Sequence, residues 1–360
     1  MALPLTDDFR RIVLENRPLI DVRAPVEFTN GAFPGAVNLP LMSDEERHMI
    51  GIRYKEAGNA AAVALGKTLI DGKPRAERTE AWKRFVEAHP DAYLYCFRGG
   101  QRSEIAQGWL AEADITIPRL KGGYKAFRRY LMERSEVITQ EIPTIIIGGR
   151  TGSGKTLLLP KIKGSIDLEG LAKHRGSSFG RTLTGQPTQI GFENALAYRL
   201  IQEEAAGEAR FVIEHESRNI GRLYIPKGVY AGFMQGKMVL LETPMDERVD
   251  TIHTEYVEEA VALYREHFGE QGMTLWYEDA TQGLERIQRR LGSERYHQLR
   301  SLLQDAYALH LSDQDSSGYK PWIEALLRYY YDPMYDYQLE KSDMPVVFSG
   351  DREAVAAYFE

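Results

Sequence analysis

Eight consecutive residues, Gly149, Arg150, Thr151, Gly152, Ser153, Gly154, Lys155 and Thr156, constrain this chain more than any other feature. They satisfy the pattern Gly-x-x-x-x-Gly-Lys-Ser/Thr. The apolar run PTIIIGG at 143–149 leads into them, and LLLPKI, which reads as a helix start, follows. A glycine-rich turn between a buried strand and a helix lets backbone N–H groups converge on phosphate oxygens, and the helix N-terminus adds a favourable dipole. Lys155 supplies a cation, and Thr156 is a candidate ligand for Mg²⁺. A loop of this kind requires a strand feeding a helix, so this part of the chain is predicted to form an α/β layered domain. The motif specifies phosphate or polyphosphate without specifying a nucleotide. The strand-like segment 211–213 runs into Glu214 and Glu216, candidate acidic partners of the loop through a metal or a water. No aspartate stands at that strand end, so the second motif is atypical for a nucleotide hydrolase.

The remaining pattern also alternates strand and helix. The chain has 360 residues and near-average proportions of apolar and charged residues, which suits two domains, here 1–138 and 139–360. In the first, strands are predicted at 17–23, 35–40, 92–96 and 116–120, and helices at 79–89, 103–113 and 125–134. Residues 42–73, punctuated by Gly51, Gly58, Gly66 and Gly72, read as an irregular decoration with helical pieces. In the second domain, strands are predicted at 143–149, 211–213, 238–242 and 346–349, with a largely helical, charged insertion at 249–331.

The chain contains one cysteine, Cys96, so no internal disulfide can form, and a reducing, cytoplasmic setting is expected. A lone cysteine is ordinarily a small buried hydrophobe. Here it opens the loop Cys96, Phe97, Arg98, Gly99, Gly100, Gln101, Arg102, Ser103 between a predicted strand and helix. That placement aims successive N–H groups at the sulfur, Arg98 and Arg102 add positive charge, and the glycines let the backbone curl. The loop is predicted to be an anion cradle with Cys96 as its catalytic residue.

Landmarks around this loop occur in order: Ile20, Asp21, Val22, Arg23; Glu27; the run FPGAVNLP at 33–40; the cysteine loop; and Leu120, Lys121, Gly122, Gly123, Tyr124. Together they resemble a rhodanese domain over about residues 5–135. One departure stands out: five residues rather than four separate Cys96 from Arg102, as in the related dual-specificity phosphatases, which implies a wider cradle. A rhodanese-like domain followed directly by a P-loop domain resembles the tRNA 2-selenouridine synthase family. The stretches DLEGLAKHRGSSFG at 167–180 and FVIEHESRNIG at 211–221 add to the likeness, which covers essentially the whole chain.

The resemblance implies a transferase acting on tRNA that carries wobble 2-thiouridine. Geranyl diphosphate alkylates the sulfur, and selenium from selenophosphate then replaces the S-geranyl group. The P-loop would cradle the diphosphate, and Cys96 would carry or position selenium. An enzyme that makes selenophosphate is an expected partner. No cofactor is required by the sequence, and Mg²⁺ stays open. Two other readings fit the motifs: a P-loop small-molecule kinase regulated by a rhodanese domain, suggested by Glu242 to Arg248, and a phosphatase built on the cysteine loop.

Charge restricts how tRNA would bind. The net charge is −7, with 21 Lys and Arg against 19 Asp and Glu up to residue 140 and 24 against 33 beyond it. Contacts must therefore come from local basic patches. Candidates are Arg128 and Arg129 within the group from Arg119 to Arg134, Arg175 in the glycine-rich stretch 174–180, and Arg286, Arg289, Arg290, Arg295 and Arg300. Tyr329, Tyr330, Tyr331 and Tyr335 are candidates for stacking on bases. The N-terminus lacks a signal-peptide pattern and no apolar run is long enough for a membrane span, so no membrane partner is expected.

Overall fold

A computed structural model describes residues 3–177, 179–180 and 183–360. Ser178, part of the glycine-rich stretch, therefore lies outside the described residues. The chain forms two units, Met1–Ile138 with Thr188–Gly207, and Thr139–Pro187 with Glu208–Glu360.

The first unit is built on five parallel strands in the order Leu5–Thr6, Arg119–Leu120, Tyr93–Tyr95, Leu19–Asp21, Ala36–Asn38. Parallel strands need helical crossovers, and these bury Ile20, Leu94, Trp82, Ala106 and Leu110 against the sheet. The central strand Tyr93–Tyr95 delivers Cys96 at its carboxyl end.

The segment expected to be irregular is instead one long helix, Asp44–Ile70, broken only at Gly58, where φ is 76°. Its start is capped reciprocally: the Ser43 N–H donates to the Glu46 carboxylate at 2.7 Å, and the Glu46 N–H donates to Ser43 Oγ at 3.2 Å. Gly51 and Gly66 sit inside the helix, where a single interior glycine costs only about 1 kcal/mol relative to alanine. A second helix, Lys73–Ala88, starts six residues earlier than predicted.

The helix Gln189–Ala205 comes late in the sequence yet packs in the first unit. Phe192, Leu196, Ala197, Leu200 and Ile201 form its buried stripe. Asn194 Nδ2 donates to the Ala32 carbonyl at 2.8 Å, and Gln202 Nε2 donates to the Val13 carbonyl at 3.0 Å.

The second unit has five parallel strands in the order Val346–Gly350, Lys237–Leu241, Thr144–Gly148, Phe211–Glu214, Ser165–Ile166. The strand before the P-loop is central, and Glu214 ends the strand beside it. Helices from Met245–His253 to Asp332–Glu340 form the predicted insertion around its own apolar core. Tyr330 and Tyr331 are buried in that core and are unavailable for base stacking, while Tyr329 is exposed.

The helix after the P-loop lasts only from Lys155 to Leu158, and a 3₁₀ turn, Leu159–Lys161, follows. Pro160 lacks the N–H that a longer helix would need. No helix among the described residues is long and apolar enough to cross a membrane.

Candidate active sites on two loops

In the first unit the cysteine loop leaves the sheet and enters the helix Gln101–Glu112. The backbone N–H groups of residues 97–103 have no hydrogen-bond acceptor among the described residues. A run of donors without acceptors, next to a helix N-terminus, is the arrangement that an anion-binding loop requires. Cys96 forms its floor and is 3% exposed. Its Sγ lies 3.2 Å from Ser103 Oγ, which donates to the Gly100 carbonyl at 3.0 Å. The Ser103 hydroxyl can rotate to donate to sulfur when the sulfur is anionic, so the pair adapts to either charge state.

The arginines of the loop differ. Arg102 is held by Glu27 at 2.5 Å, and Glu27 also meets Arg47 at 3.2 Å. Burial alone would raise the Glu27 carboxyl; the Arg102 guanidinium overrides it and holds it below the ordinary range. Arg98 is exposed and has no ion-pair partner among the described residues, so its charge is available to a ligand. Asp21 and Arg23, two of the sequence landmarks, form a buried bidentate pair with Arg23 Cζ 3.9 Å above the Tyr124 ring. Arg23 thus packs on Tyr124 and also lines the cavity in front of the loop.

The Leu120 to Tyr124 landmark braces the loop from behind. The Tyr124 N–H donates to the Cys96 carbonyl at 2.8 Å, and the Lys125 N–H donates to the Phe97 carbonyl at 3.0 Å. Gly99 has φ 64°, and a Cβ there would lie 2.6 Å from the Leu120 carbonyl oxygen and 2.7 Å from the Gly123 nitrogen. Gly99→Ala is therefore expected to destabilise the first unit by about 2 kcal/mol or more. Chemical denaturation would measure this; an unchanged midpoint would show that the loop is free to relax.

In front of the loop lies a cavity of about 1180 Å³, lined by Phe97, Arg98, Gln101 and Arg102 on one side and by the helix Asp44–Ile70 on the other. Sequence reasoning treated that helix as decoration; its lining role depends on how it folds back.

In the second unit, Gly152 and Gly154 take φ values of 81° and 83° and curl the P-loop. The N–H groups of Thr151, Gly152, Gly154, Lys155 and Thr156 have no acceptor among the described residues. The helix here is a single turn, so the cradle rests on these donors and on Lys155 rather than on a long dipole. Lys155 Nζ donates to the Gly149 carbonyl at 2.7 Å. Arg150 is paired with Asp336 and lies at the rim, while Arg248, buried, pairs with Asp332 and donates to the Thr151 carbonyl at 2.9 Å. Arg248 thus holds the loop's shape instead of facing a phosphate.

The expected acidic partners are present in this cleft of about 410 Å³, together with a third that sequence reasoning left without a role, Glu169. Its N–H donates to Glu214 Oε1 at 2.8 Å, and its carboxyl is hydrogen-bonded to Glu216. The signal for Glu169 lay in the 167–180 stretch. Burial, reinforced by Glu169, raises Glu214 to about 8 and pushes Glu216 up as well. Burial lowers Lys155 against the pull of Glu216, Glu169 and Glu214. Among the described residues, no group of three or more His, Cys, Asp and Glu side chains is arranged to hold a metal ion.

A proton on Glu214 has a measurable consequence. The unfolded chain releases it near 4.5, whereas the native chain keeps it up to about 8. The stability this contributes is complete below the first value and is lost as pH rises toward the second. Glu214→Gln stays neutral throughout. Between pH 5 and 8 the melting temperature of the ligand-free wild type should fall relative to that of Glu214→Gln, and parallel curves would contradict a protonated Glu214.

The candidate tRNA contacts are dispersed. Arg128 is paired with Glu193 and donates to Asn194 at 2.8 Å, while Arg129 is exposed. Arg175 lines the P-loop cleft, donating to the Glu255 carbonyl at 2.6 Å and lying 4.8 Å from the Tyr256 ring centre. Arg119, Lys121 and Arg134 are engaged by acidic neighbours. Arg286, Arg289, Arg290, Arg295 and Arg300 are all exposed on the helices Gly272–Leu291 and Ser293–Asp313.

A thiol at the end of a central rhodanese-type strand and a P-loop on a second parallel sheet define a rhodanese-like domain fused to a P-loop domain. Family models agree: a rhodanese-like domain matches residues 6–130, and the tRNA 2-selenouridine synthase AAA domain matches residues 142–360. Similar curated proteins include the tRNA 2-selenouridine synthase of Sulfurovum sp., 52% identical over 99% of this chain and 98% of its own. Those of Pseudomonas fluorescens and Hydrogenovibrio crunogenus are 46% and 49% identical, over 99% and 98% of this chain and 98% of theirs. The chain belongs to the tRNA 2-selenouridine synthase family.

Proposed function

We propose that this protein converts 2-thiouridine at the wobble position of tRNA to 2-selenouridine in two steps. In the first, the thiouridine sulfur attacks C1 of geranyl diphosphate, the C–O bond breaks, N3 loses its proton and diphosphate departs. The P-loop is suited to this: its free N–H groups and Lys155 meet the charge that builds on the leaving diphosphate. Burial and their mutual proximity favour the protonated form of Glu214 and Glu216, which suits hydrogen-bond donation to phosphate oxygens better than ligation of Mg²⁺. Any Mg²⁺ would then be held by the diphosphate, water and Thr156.

In the second step selenium from selenophosphate displaces the S-geranyl group at C2, and hydrolysis of the P–Se bond releases phosphate. Selenium is at the selenide level in both selenophosphate and the product, so this exchange needs no oxidant. A perselenide on Cys96 would require a two-electron oxidation that neither reactant supplies. We therefore assign Cys96 the positioning of selenium by soft contact, with the phosphoryl oxygens on the N–H groups of residues 97–103. The row of unfilled donors around a lone thiol is the observation that carries this reading. Transfer leaves the thiol unchanged, consistent with the absence of a resolving cysteine in the sequence.

The exposed arginines of the helical insertion are proposed to neutralise tRNA phosphates. The test is direct: incubate the protein with thiolated tRNA, geranyl diphosphate and selenophosphate, digest, and weigh the nucleosides. S-geranyl-2-thiouridine should form without selenophosphate and 2-selenouridine with it. Recovery of only 2-thiouridine would refute the proposal.

A further inference from the structure

Beside the P-loop cleft lies a second cavity of about 80 Å³ among the helices of the insertion. Thr151, Arg175, Ser177, Ile252, Tyr256 and Tyr331 line both spaces, so the two adjoin. Beyond that shared mouth the wall is aromatic and aliphatic: Phe179, Tyr264, Trp276, Trp322 and Leu326, with Asp279 the one carboxylate. The Trp276 N–H is already satisfied by the Tyr256 carbonyl at 3.0 Å, and Phe179 meets Trp322 edge to face at 5.7 Å. Arg175 is fixed at the junction by the Glu255 carbonyl and the Tyr256 ring.

A phosphate cradle that opens into an apolar, ring-lined cavity selects a ligand with a charged head and a hydrocarbon tail. A nucleotide would leave its base donors and acceptors facing aromatic carbon without partners. We propose that this cavity receives the prenyl tail of a diphosphate ester whose diphosphate sits on the loop 149–156. The inference rests on the reading of that loop as a diphosphate cradle and extends it to the tail. Ile252 and Tyr256, at the mouth, then set the path of the first isoprene unit, and the two tryptophans surround the far end.

The experiment measures equilibrium binding to the full chain of inorganic diphosphate, dimethylallyl diphosphate and geranyl diphosphate, by calorimetry and tryptophan fluorescence. Affinity should rise with tail length, geranyl diphosphate binding at least about tenfold tighter than inorganic diphosphate. Emission from Trp276 and Trp322 should change with the prenyl ligands and stay constant with inorganic diphosphate. Two variants that fill the cavity from different helices, Ala280→Phe and Ala260→Phe, should lose the tail-dependent gain and keep the affinity for inorganic diphosphate, which also certifies their fold. If either variant fails to fold, the length series and the fluorescence of the wild type decide.

An absence of any tail-dependent gain overturns the proposal while leaving the diphosphate cradle intact. A gain that persists in both variants also overturns it and moves the tail elsewhere, the cavity beside the cysteine loop being the next candidate. Failure of all three ligands to bind would sink the cradle reading itself.

Discussion

Lys155→Ala should abolish S-geranylation and leave selenium exchange running on tRNA that already carries the S-geranyl group. In the proposed first reaction negative charge accumulates on a departing diphosphate, and the groups placed to meet it are the loop N–H donors and the half-buried Lys155 ammonium. Removing one such donor from a preorganised site typically costs about 100- to 1000-fold in rate. Loss of the ammonium does more, since it also removes the cation that Glu169, Glu214 and Glu216 face in the cleft. Lys155→Arg is not a neutral control: the ammonium is a point charge bonded to Gly149, and a planar guanidinium does not fit that geometry. The readout is nucleoside mass after separate supply of thiolated and pre-geranylated tRNA. Loss of both activities would place the two chemistries in one site, and retention of both would remove the P-loop from the mechanism.

Cys96→Ala should give the complementary result: S-geranyl-2-thiouridine accumulates, and selenium incorporation falls by at least about 100-fold, the order expected when a reacting atom loses its positioning contact. Cys96→Ser sharpens the test. A hydroxyl preserves the hydrogen bond to Ser103 and the shape of the cradle floor, yet it is a hard, weakly polarisable contact for selenium. Serine is therefore expected to resemble alanine in selenium transfer while keeping wild-type stability. A serine variant with near-normal selenium incorporation would show that the cradle alone holds selenophosphate. A mass corresponding to selenium bound to wild-type Cys96, formed from selenophosphate without oxidant, would overturn the redox argument against a perselenide.

Both loops were legible in the sequence because each depends on local backbone geometry. A glycine at a left-handed position, a donor row after a strand and a lysine at fixed spacing act within eight or nine residues, so Gly99, Gly152, Gly154 and Lys155 reveal themselves by identity and order alone. The same holds for the alternation of strands and helices and for the rhodanese landmarks, including Gly122 and Gly123, whose close approach to Gly99 explains why that turn belongs with the cysteine loop. The brevity of the helix after Lys155 has its signal in Pro160.

What the sequence did not disclose arises from contacts between distant segments. Arg102 and Arg98 look equivalent in the cysteine loop, but only folding brings Glu27 to Arg102 and leaves Arg98 free. Glu169 joins Glu214 and Glu216 through burial, which raises carboxyls that a linear reading would take as ordinary anions. The helix Gln189–Ala205 packs in the first unit because its apolar stripe finds a surface there, a choice that periodicity cannot make. Tyr331, a stacking candidate by its neighbours, is withdrawn into a core and lines a cavity. The sequence by itself determined the two glycine-containing loops and their rows of free N–H groups, because short-range backbone sterics create them. Tertiary structure decided which charges remain available and where apolar space adjoins the phosphate loop, because desolvation and pairing depend on what the fold packs around each group.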